Sequence, residues 1–358
     1  MNQRDSSGAS KFSRMESVRG FAALYVGLSH LGWLGILGAF AQEAVMVFFV
    51  LSGFVIGWTA SQHFCFRAYY IKRFLRIYSV WVPAVIFLFG IGVIQSGEWV
   101  FPSATDFFGN LFMLQDLGFA KPAVFCEPIF GNGPLWSLHY EWWFYMVFPL
   151  VLLAPRKSRA HLVGSVAVLS AGLYLFVPNA PCRILMYLSI WWIGVEAARL
   201  LREIGKVEFR RLLPSIAYVF LAAIPLGCLV LKSYFHGLDL SPGLHPVLEF
   251  RHMISSVLLV CVAFVWRSLG WYGFKWTVGT GVIFAPISYS FYIVHYRSIA
   301  NASYLGFLHV AWLQQLLYWV ITIVFCIVVE LVFFPMLRQW SKVSKQRAPL
   351  GHPADGRS

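Results

Sequence analysis

The chain has 358 residues, of which 59% are hydrophobic and 12% charged, and its formal net charge is +13. This composition excludes a soluble globular domain and predicts a protein that crosses the membrane several times. The 28 lysines and arginines lie in short blocks between apolar runs and not in one basic region. The positive charge therefore indicates membrane topology, and no nucleic-acid partner is expected.

Ten apolar runs reach the length of about 20 residues that predicts a transmembrane helix. The expected fold is all-α, a polytopic integral membrane bundle of about 10 transmembrane helices. In chain order the runs cover residues 17–37, 41–60, 78–96, 134–154, 162–177, 184–201, 213–231, 253–270, 283–305 and 311–334.

Basic residues are distributed unequally between the two sides of this bundle. If the N-terminus is cytosolic, 23 of the 28 lie on the cytosolic side and one lies within a span, which leaves four outside: Lys121, Arg183, Lys232 and Arg251. Because Lys and Arg concentrate in cytoplasmic loops, both termini are predicted to be cytoplasmic. We expect a polar cytoplasmic segment at 1–16 without a signal-peptide cleavage pattern, a transmembrane domain at 17–336 and a basic cytoplasmic tail at 337–358.

The first span contains two ionisable residues, Arg19 and His30, eleven positions apart. An ionised side chain in the bilayer core costs on the order of 3 kcal/mol, so such residues are rarely kept without a function. This pair therefore indicates the active site.

Two external segments are long enough to contribute to function. Residues 97–133 include an apolar stretch, Phe107 to Leu114, that is expected to lie on the membrane or dip into it. Residues 232–252 carry His236, His245 and His252, whose spacing matches no compact metal-binding motif. No metal is predicted.

The six cysteines form no Cys-x-x-Cys pair, which argues against a zinc or redox centre. Cys126 and Cys182 are the two that fall on the oxidising side of the predicted topology, and a disulfide between them is left open.

Four local patterns carry more specific information. They are Arg19-x10-His30 in the first span, Leu51-Ser52-Gly53-Phe54 in the second, Arg73-Phe74-Leu75-Arg76 after it, and Ser137-Leu138-His139-Tyr140-Glu141 in the fourth. In this order and at compatible membrane depths they resemble acyltransferase family 3, the membrane acyltransferases that modify surface polysaccharides and lipid-linked sugars. The resemblance extends from Arg19 to about Pro335 and includes residues 287–295, which end in Tyr292-Ile293-Val294-His295.

The resemblance implies which residues carry activity, and they are Arg19, His30, Arg73, Arg76, Ser137 and Glu141. Further candidate pocket residues are Tyr140, His295 and Arg297. The chain departs from the family pattern at Arg297, where an apolar residue or proline is common, and it shows no appended esterase-like domain.

Position along the helices suggests how His30 and Glu141 would act together. Each lies about seven residues from the external end of its span, which corresponds to a depth of roughly 10 Å. A histidine beside a carboxylate can be held in one tautomer and serve as a general base on an acceptor hydroxyl. We therefore expect the two side chains to meet as base and orienting group.

Arg19, Arg73 and Arg76 are expected at the cytosolic ends of their helices. Guanidinium groups bind phosphate bidentately, so the three could hold the nucleotide end of an acyl-coenzyme A donor while its arm extends the ~16 Å toward His30. A purely topological role for Arg73 and Arg76 is left open.

The sequence thus predicts an integral inner-membrane O-acyltransferase that transfers an acyl group, expected to be acetyl, from cytosolic acyl-coenzyme A to a hydroxyl of a surface polysaccharide or lipid-linked glycan, as in O-acetylation of lipopolysaccharide. The alternatives are a transporter or flippase of lipid-linked sugars, for which we find no inverted repeat, and a structural subunit of an export complex. The acceptor, the acyl chain length and the oligomeric state are left open.

Overall fold

The computed structural model of the protein describes residues 3–59 and 64–339, with side chains from Phe12 onward. This part of the chain is helical, and the one β-type pairing in it is an isolated bridge between Gln115 and Cys126. Its α-helices are α1 (Gln3–His30), α2 (Ala41–Thr59), α3 (Phe66–Ser96), α4 (Ala104–Leu111), α5 (Trp136–Val151), α6 (Arg159–Tyr174), α7 (Ala180–Ile204), α8 (Phe209–Phe235), α9 (Val247–Ser268), α10 (Ser288–His295) and α11 (Ala311–Ile327). The predicted all-α fold is confirmed.

Within the described residues, six helices are long and apolar enough to cross a membrane: α3, α7, α8, α9, α2 with the preceding turn, and α11 with its continuation to Gln339. The predicted count of about ten is therefore not confirmed. The helices α5 and α6 have 16 residues each, about 24 Å of rise against the ~30 Å of a bilayer core. The eight residues of α10 lie between 3₁₀ turns and a π-helical turn at Tyr296–Ala300.

Glycines allow two of the central helices to touch along their backbones. A Cβ atom built on Gly53 of α2 would lie 2.0 Å from the Trp191 carbonyl oxygen of α7, and one built on Gly194 would lie 1.9 Å from the carbonyl oxygen of Val50. Small residues at such positions let membrane helices approach closely. This close packing fixes α2, which carries Ser52 toward the site.

The helices α1 and α10 run in the same direction, side by side. Near one end a Cβ on Gly20 would lie 2.0 Å from the Gly281 carbonyl oxygen, and at the other end His30 contacts His295. The close approach at Gly20 places Arg19 against the residues that begin α10. The two ionisable residues of the first span therefore both face this short helix.

The segment at 97–133 folds into the bundle instead of covering it. The Met113 carbonyl oxygen accepts hydrogen bonds from His139 Nδ1 at 2.6 Å and Trp143 Nε1 at 3.0 Å, both on α5. Tyr78 of α3 donates to the Leu111 carbonyl. The apolar stretch at 107–114 thus packs against α3 and α5, while Phe108 of α4 and Phe112, which follows α4, are exposed. Its location on or in the membrane stays a prediction.

Two further predictions concern the cysteines and the C-terminal tail. All six cysteines, each within the described residues, are free thiols, so the disulfide left open between Cys126 and Cys182 is not formed here. The helix that follows α11 ends at Gln339, and the remainder of the predicted basic tail lies outside the described residues.

Candidate active site

A cavity of about 820 Å³ lies between α1, α2, α3, α5, α10 and the helical continuation of α11. At one end its lining includes the exposed residues Thr59, Cys65 and Lys72, so the cavity opens at the connection between α2 and α3. At the other end it is closed by buried Ser137 and Tyr292, whose hydroxyl oxygens are 2.9 Å apart. The open end faces the side predicted to be cytosolic.

Basic side chains dominate the charge of this cavity. Arg19, Lys72, Arg73, Arg76 and Arg338 line it, and the carboxylates in its lining are Glu16 and Glu141. The three arginines predicted to hold a donor, which come from two helices and lie up to 57 positions apart in the chain, are therefore brought to one space. Such a cationic chamber favours an anionic ligand.

The three arginines differ in how they are held. Arg19 donates from Nε to Ser288 Oγ at 3.2 Å and from Nη2 to the Ala285 carbonyl at 3.1 Å, both neutral acceptors. Arg73 lies over the rings of Tyr69 and Tyr145 at 5.8 and 5.6 Å, and its Nε has no hydrogen-bond partner among the described residues. These two guanidinium groups keep donors for a ligand.

Arg76 is instead paired within the protein. Its Nη1 is 2.8 Å from Oε2 of buried Glu330, and its guanidinium stacks 4.4 Å from the ring centre of Tyr289. The expected role of Arg76 as a free phosphate ligand therefore needs revision. One of its five N–H groups is used by Glu330, and the others can still face the cavity.

Glu141 faces the cavity from α5 and is held by groups on two helices. Its Oε1 accepts hydrogen bonds from Ser52 Oγ at 2.8 Å and from Tyr145 Oη, and Trp191 Nε1 donates in turn to Ser52 Oγ at 3.2 Å. The other carboxylate oxygen, Oε2, has no hydrogen-bond partner in the described part of the chain. Ser52 stands in the motif Leu51-Ser52-Gly53-Phe54, but its contact with Glu141 was not predicted.

His30 lies at the last residue of α1, outside the cavity lining, and its neighbour is His295. The atoms His30 Nδ1 and His295 Nε2 are 2.9 Å apart, and the rings lie edge to edge with centroids 5.1 Å apart. Among the described residues no hydrogen bond or ion pair joins His30 to Glu141. The expected contact is absent because equal depth fixes height along the membrane normal but not which neighbour a helix face meets.

The remaining candidate pocket residues are separated. Ser137 closes the inner end of the cavity, but Arg297 is half-buried on the π-helical turn and does not line it. Tyr140 points away from the cavity and donates to Asp116 Oδ2 at 2.6 Å. Tyr292, which belongs to the motif that ends in His295 and was not predicted as a site residue, lies at the cavity end.

Tyr140 belongs to a second group of polar residues on the predicted external side, which we call the external cluster: the buried residues Asp116, Lys121, Tyr140, Tyr174, Arg183 and Glu249, and the half-buried His245. Lys121 Nζ is 2.8 Å and Arg183 Nε 3.6 Å from the carboxylate of Asp116. Burial alone would raise the pKa of Asp116, but Lys121, His139 and Arg183 outweigh burial and hold that pKa below its ordinary value.

Comparisons with known proteins agree with the motifs. A family model described as an acyltransferase domain of the acyltransferase 3 type matches residues 12–333. The acyltransferase MdmB of Streptomyces mycarofaciens is 34% identical over 142 residues, a match that spans 38% of this chain and only 34% of that protein. No solved structure matches. Since the family match takes in nearly all of the described chain, the protein belongs to acyltransferase family 3. The six membrane-length apolar helices of the described residues make it a multi-pass membrane protein.

Proposed function

We propose that the protein is an inner-membrane O-acyltransferase that uses acyl-coenzyme A, with acetyl as the expected group, and acylates a hydroxyl of a surface polysaccharide or lipid-linked glycan. The observation that carries the donor assignment is that five residues share one cavity. Arg19, Arg73 and Arg76 lie toward its open end, and Glu141 and Ser137 lie deeper. Coenzyme A combines phosphate groups with a long, mostly uncharged arm. The cavity offers cations first, and beyond them the carboxylate of Glu141 and the neutral hydroxyls of Ser137 and Tyr292.

The donor would enter from the open end with its phosphates on the basic residues. Arg73 is the best placed of these, because its guanidinium has no carboxylate partner in the described chain and is oriented by two aromatic rings. Charge-assisted bonds to phosphate are the strong ones, about 1.5 to 3 kcal/mol each. Oε2 of Glu141 would accept a hydrogen bond from an amide N–H of the pantetheine arm.

The thioester would then lie near the hydroxyl groups of Ser137 and Tyr292. His295 follows Tyr292 by three positions on α10, a rise of ~4.5 Å, and it contacts His30. His30 is exposed at the end of α1, on the side opposite to the cavity mouth. An acceptor arriving from that side would meet the thioester between Tyr292 and His30.

His30 would act as the general base in a direct transfer. Its Nε2 takes the proton of the acceptor hydroxyl while the oxygen forms a bond to the thioester carbonyl carbon. The C–S bond then breaks, and the coenzyme A thiolate leaves with the proton that the imidazolium returns. The products are an ester and a free thiol, with no net change in charge or oxidation state.

Purified protein in lipid nanodiscs, given radiolabelled acetyl-coenzyme A and a membrane glycan extract, tests this proposal. The wild-type chain should label the glycan, and His30→Ala should lower the rate about 10²- to 10⁴-fold while coenzyme A affinity stays the same. His236→Ala, an exposed histidine on the same predicted side, is the matched control and should act like wild type. Glycan labelling by His30→Ala at the normal rate would exclude the proposed base.

Glu141→Gln separates the two ends of the site. Because Glu141 lines the donor cavity and does not contact His30, we expect the variant to raise the KM for acetyl-coenzyme A. A fall in kcat with an unchanged KM would instead support the direct partnership with His30 that the sequence suggested.

A further inference from the structure

We propose that His295 is a positioning residue that fixes the tautomer of His30, so that His30 presents a lone pair on Nε2 to the acceptor hydroxyl. This inference rests on the proposed function, in which His30 is the base. In this proposal the neutral side chain of His295, and not the carboxylate of Glu141 as expected from the sequence, orients the His30 imidazole.

The first step concerns the proton on His295. Its Nδ1 lies 3.1 Å from the Phe291 carbonyl oxygen and 2.9 Å from the Tyr292 carbonyl oxygen. Carbonyl oxygens only accept hydrogen bonds, so Nδ1 of His295 must carry hydrogen. In the neutral ring the other nitrogen, Nε2, then carries a lone pair and can only accept.

The second step transfers this constraint to His30. Since His295 Nε2 is an acceptor and lies 2.9 Å from Nδ1 of His30, Nδ1 of His30 must be the donor. A neutral His30 with hydrogen on Nδ1 has its lone pair on Nε2. No described residue forms a hydrogen bond with His30 Nε2, so this lone pair is available at an exposed position.

The surroundings hold His295 in this orientation. His295 is 1% exposed. Its ring stacks on the ring of Phe291, with centroids 5.4 Å apart and ring planes at 17°. Phe291 stacks in turn on Trp319 at 5.7 Å. Gly27 of α1 leaves the space for this stack, since a Cβ there would lie 2.7 Å from the Phe291 ring.

His30 is held on two sides as well. The edge of its ring that carries Nδ1 meets His295, with the two ring planes at 28°, and the ring of Tyr296 is inclined at 75° to that of His30 with centroids 5.1 Å apart. When His30 takes the acceptor proton, its Nδ1–H still donates to His295 Nε2, so the hydrogen bond persists through the step. A base whose orientation is fixed before the reaction lowers the entropic part of the activation free energy.

Two substitutions of His295 test the inference, because asparagine and glutamine each reproduce one half of the ring. His295→Asn reaches about as far as Nδ1 and leaves His30 without an acceptor, whereas His295→Gln can place its amide oxygen near the position of Nε2. We expect His295→Asn to lower kcat by about 10² or more with an unchanged KM for acetyl-coenzyme A, and His295→Gln to stay within about tenfold of wild type.

The outcomes separate the inference from the proposed function. Absence of transfer by the wild-type chain contradicts the proposed function itself. Normal transfer by His295→Asn, equal losses in both variants that still bind coenzyme A, or a loss confined to KM overturns the positioning role alone.

A measurement on the wild-type chain keeps the inference testable if neither variant folds. Nitrogen-15 NMR of histidine-labelled protein, with the His30 signals assigned by their loss in His30→Gln, reports which ring nitrogen carries hydrogen. We expect the Nδ1–H tautomer for neutral His30. A neutral His30 with hydrogen on Nε2 would overturn the proposal.

Discussion

The external cluster and the cavity both place basic side chains inside the protein, but they treat the charges in opposite ways. In the cluster the two cations share one carboxylate: Lys121 and Arg183 lie 2.8 and 3.6 Å from Asp116, and all three are at most 3% exposed. In the cavity, Arg19 contacts neutral oxygens and Arg73 contacts two aromatic rings.

The difference separates structural charge from functional charge. Burying an ion without a counter-ion costs free energy of folding. A buried cation without a counter-ion therefore does not stabilise the fold. The cluster is compensated from within and can serve folding alone. The cations of the cavity leave room for compensation by a ligand, which is the reason we assign the donor phosphates to them.

The largest effect should come from removing the shared carboxylate of the cluster. Asp116→Asn removes the one carboxylate that both Lys121 and Arg183 contact directly, which we expect to cost about 3 to 5 kcal/mol. The measurement is the thermal transition of the detergent-purified protein. Glu98→Gln, which removes an exposed carboxylate of the same segment, should change the transition little.

The lowered pKa of Asp116 gives this prediction a pH dependence. A carboxyl whose pKa is depressed in the folded state stabilises it above the unfolded value of about 4, and this contribution is lost as the pH falls through the folded pKa. The difference between wild type and Asp116→Asn should therefore shrink below about pH 4. A constant difference down to the lowest pH reached would contradict the ion-pair explanation.

Arg76 is intermediate between the two regions, because it lines the cavity and yet is paired to Glu330. We expect Arg76→Ala and Glu330→Gln each to destabilise the protein, and the double variant to lose less than the sum, with a coupling of about 1 to 3 kcal/mol. Thermal transitions of the four proteins measure the coupling. Strict additivity would mean that Arg76 behaves as a cavity residue and not as a structural one.

The sequence predicted which arginines share the cavity, but it did not predict how each of them is paired. Arg19, Arg73 and Arg76 were predicted to act together because the motif spacing and the excess of basic residues place all three at one membrane face. The pairing of Arg76 with Glu330 was not predicted, because 254 positions separate the two residues and nothing local marks them as neighbours.

The all-helical fold was also predictable, since apolar runs of bilayer length allow few other structures. The packing of the segment at 97–133 was not predictable in the same way. Its buried polar groups, such as Asp116, are satisfied by Lys121 and by Tyr140 on another element, and hydropathy does not register such pairing. The contact of His30 with His295 instead of Glu141 depends on the rotation of α1 about its axis, which matching depths leave undetermined.

A smaller effect is expected for the unpaired cation of the cavity. Arg73→Ala should weaken acyl-coenzyme A binding by about tenfold or more, since one charge-assisted phosphate contact is worth about 1.5 to 3 kcal/mol. Thermal stability should change little, because no carboxylate loses a partner. Arg67→Ala, an exposed arginine of the same helix outside the cavity lining, is the control, and an equal loss in both variants would point to a general effect of charge.

The smallest effect should come from Lys72, which lines the cavity at its open end and is exposed. An exposed charge contributes about 0.2 to 1 kcal/mol to a contact, so Lys72→Ala should weaken coenzyme A binding only about two- to fivefold. Screening should remove most of this difference near 1 M salt, where the Debye length falls to about 3 Å. Binding titrations at low and high salt check both statements, with Lys157→Ala, an exposed lysine outside the cavity, as the control. A Lys72 effect that persists at high salt would mean that its ammonium group is buried against the donor and belongs with Arg73, which would extend the uncompensated region to the mouth of the cavity.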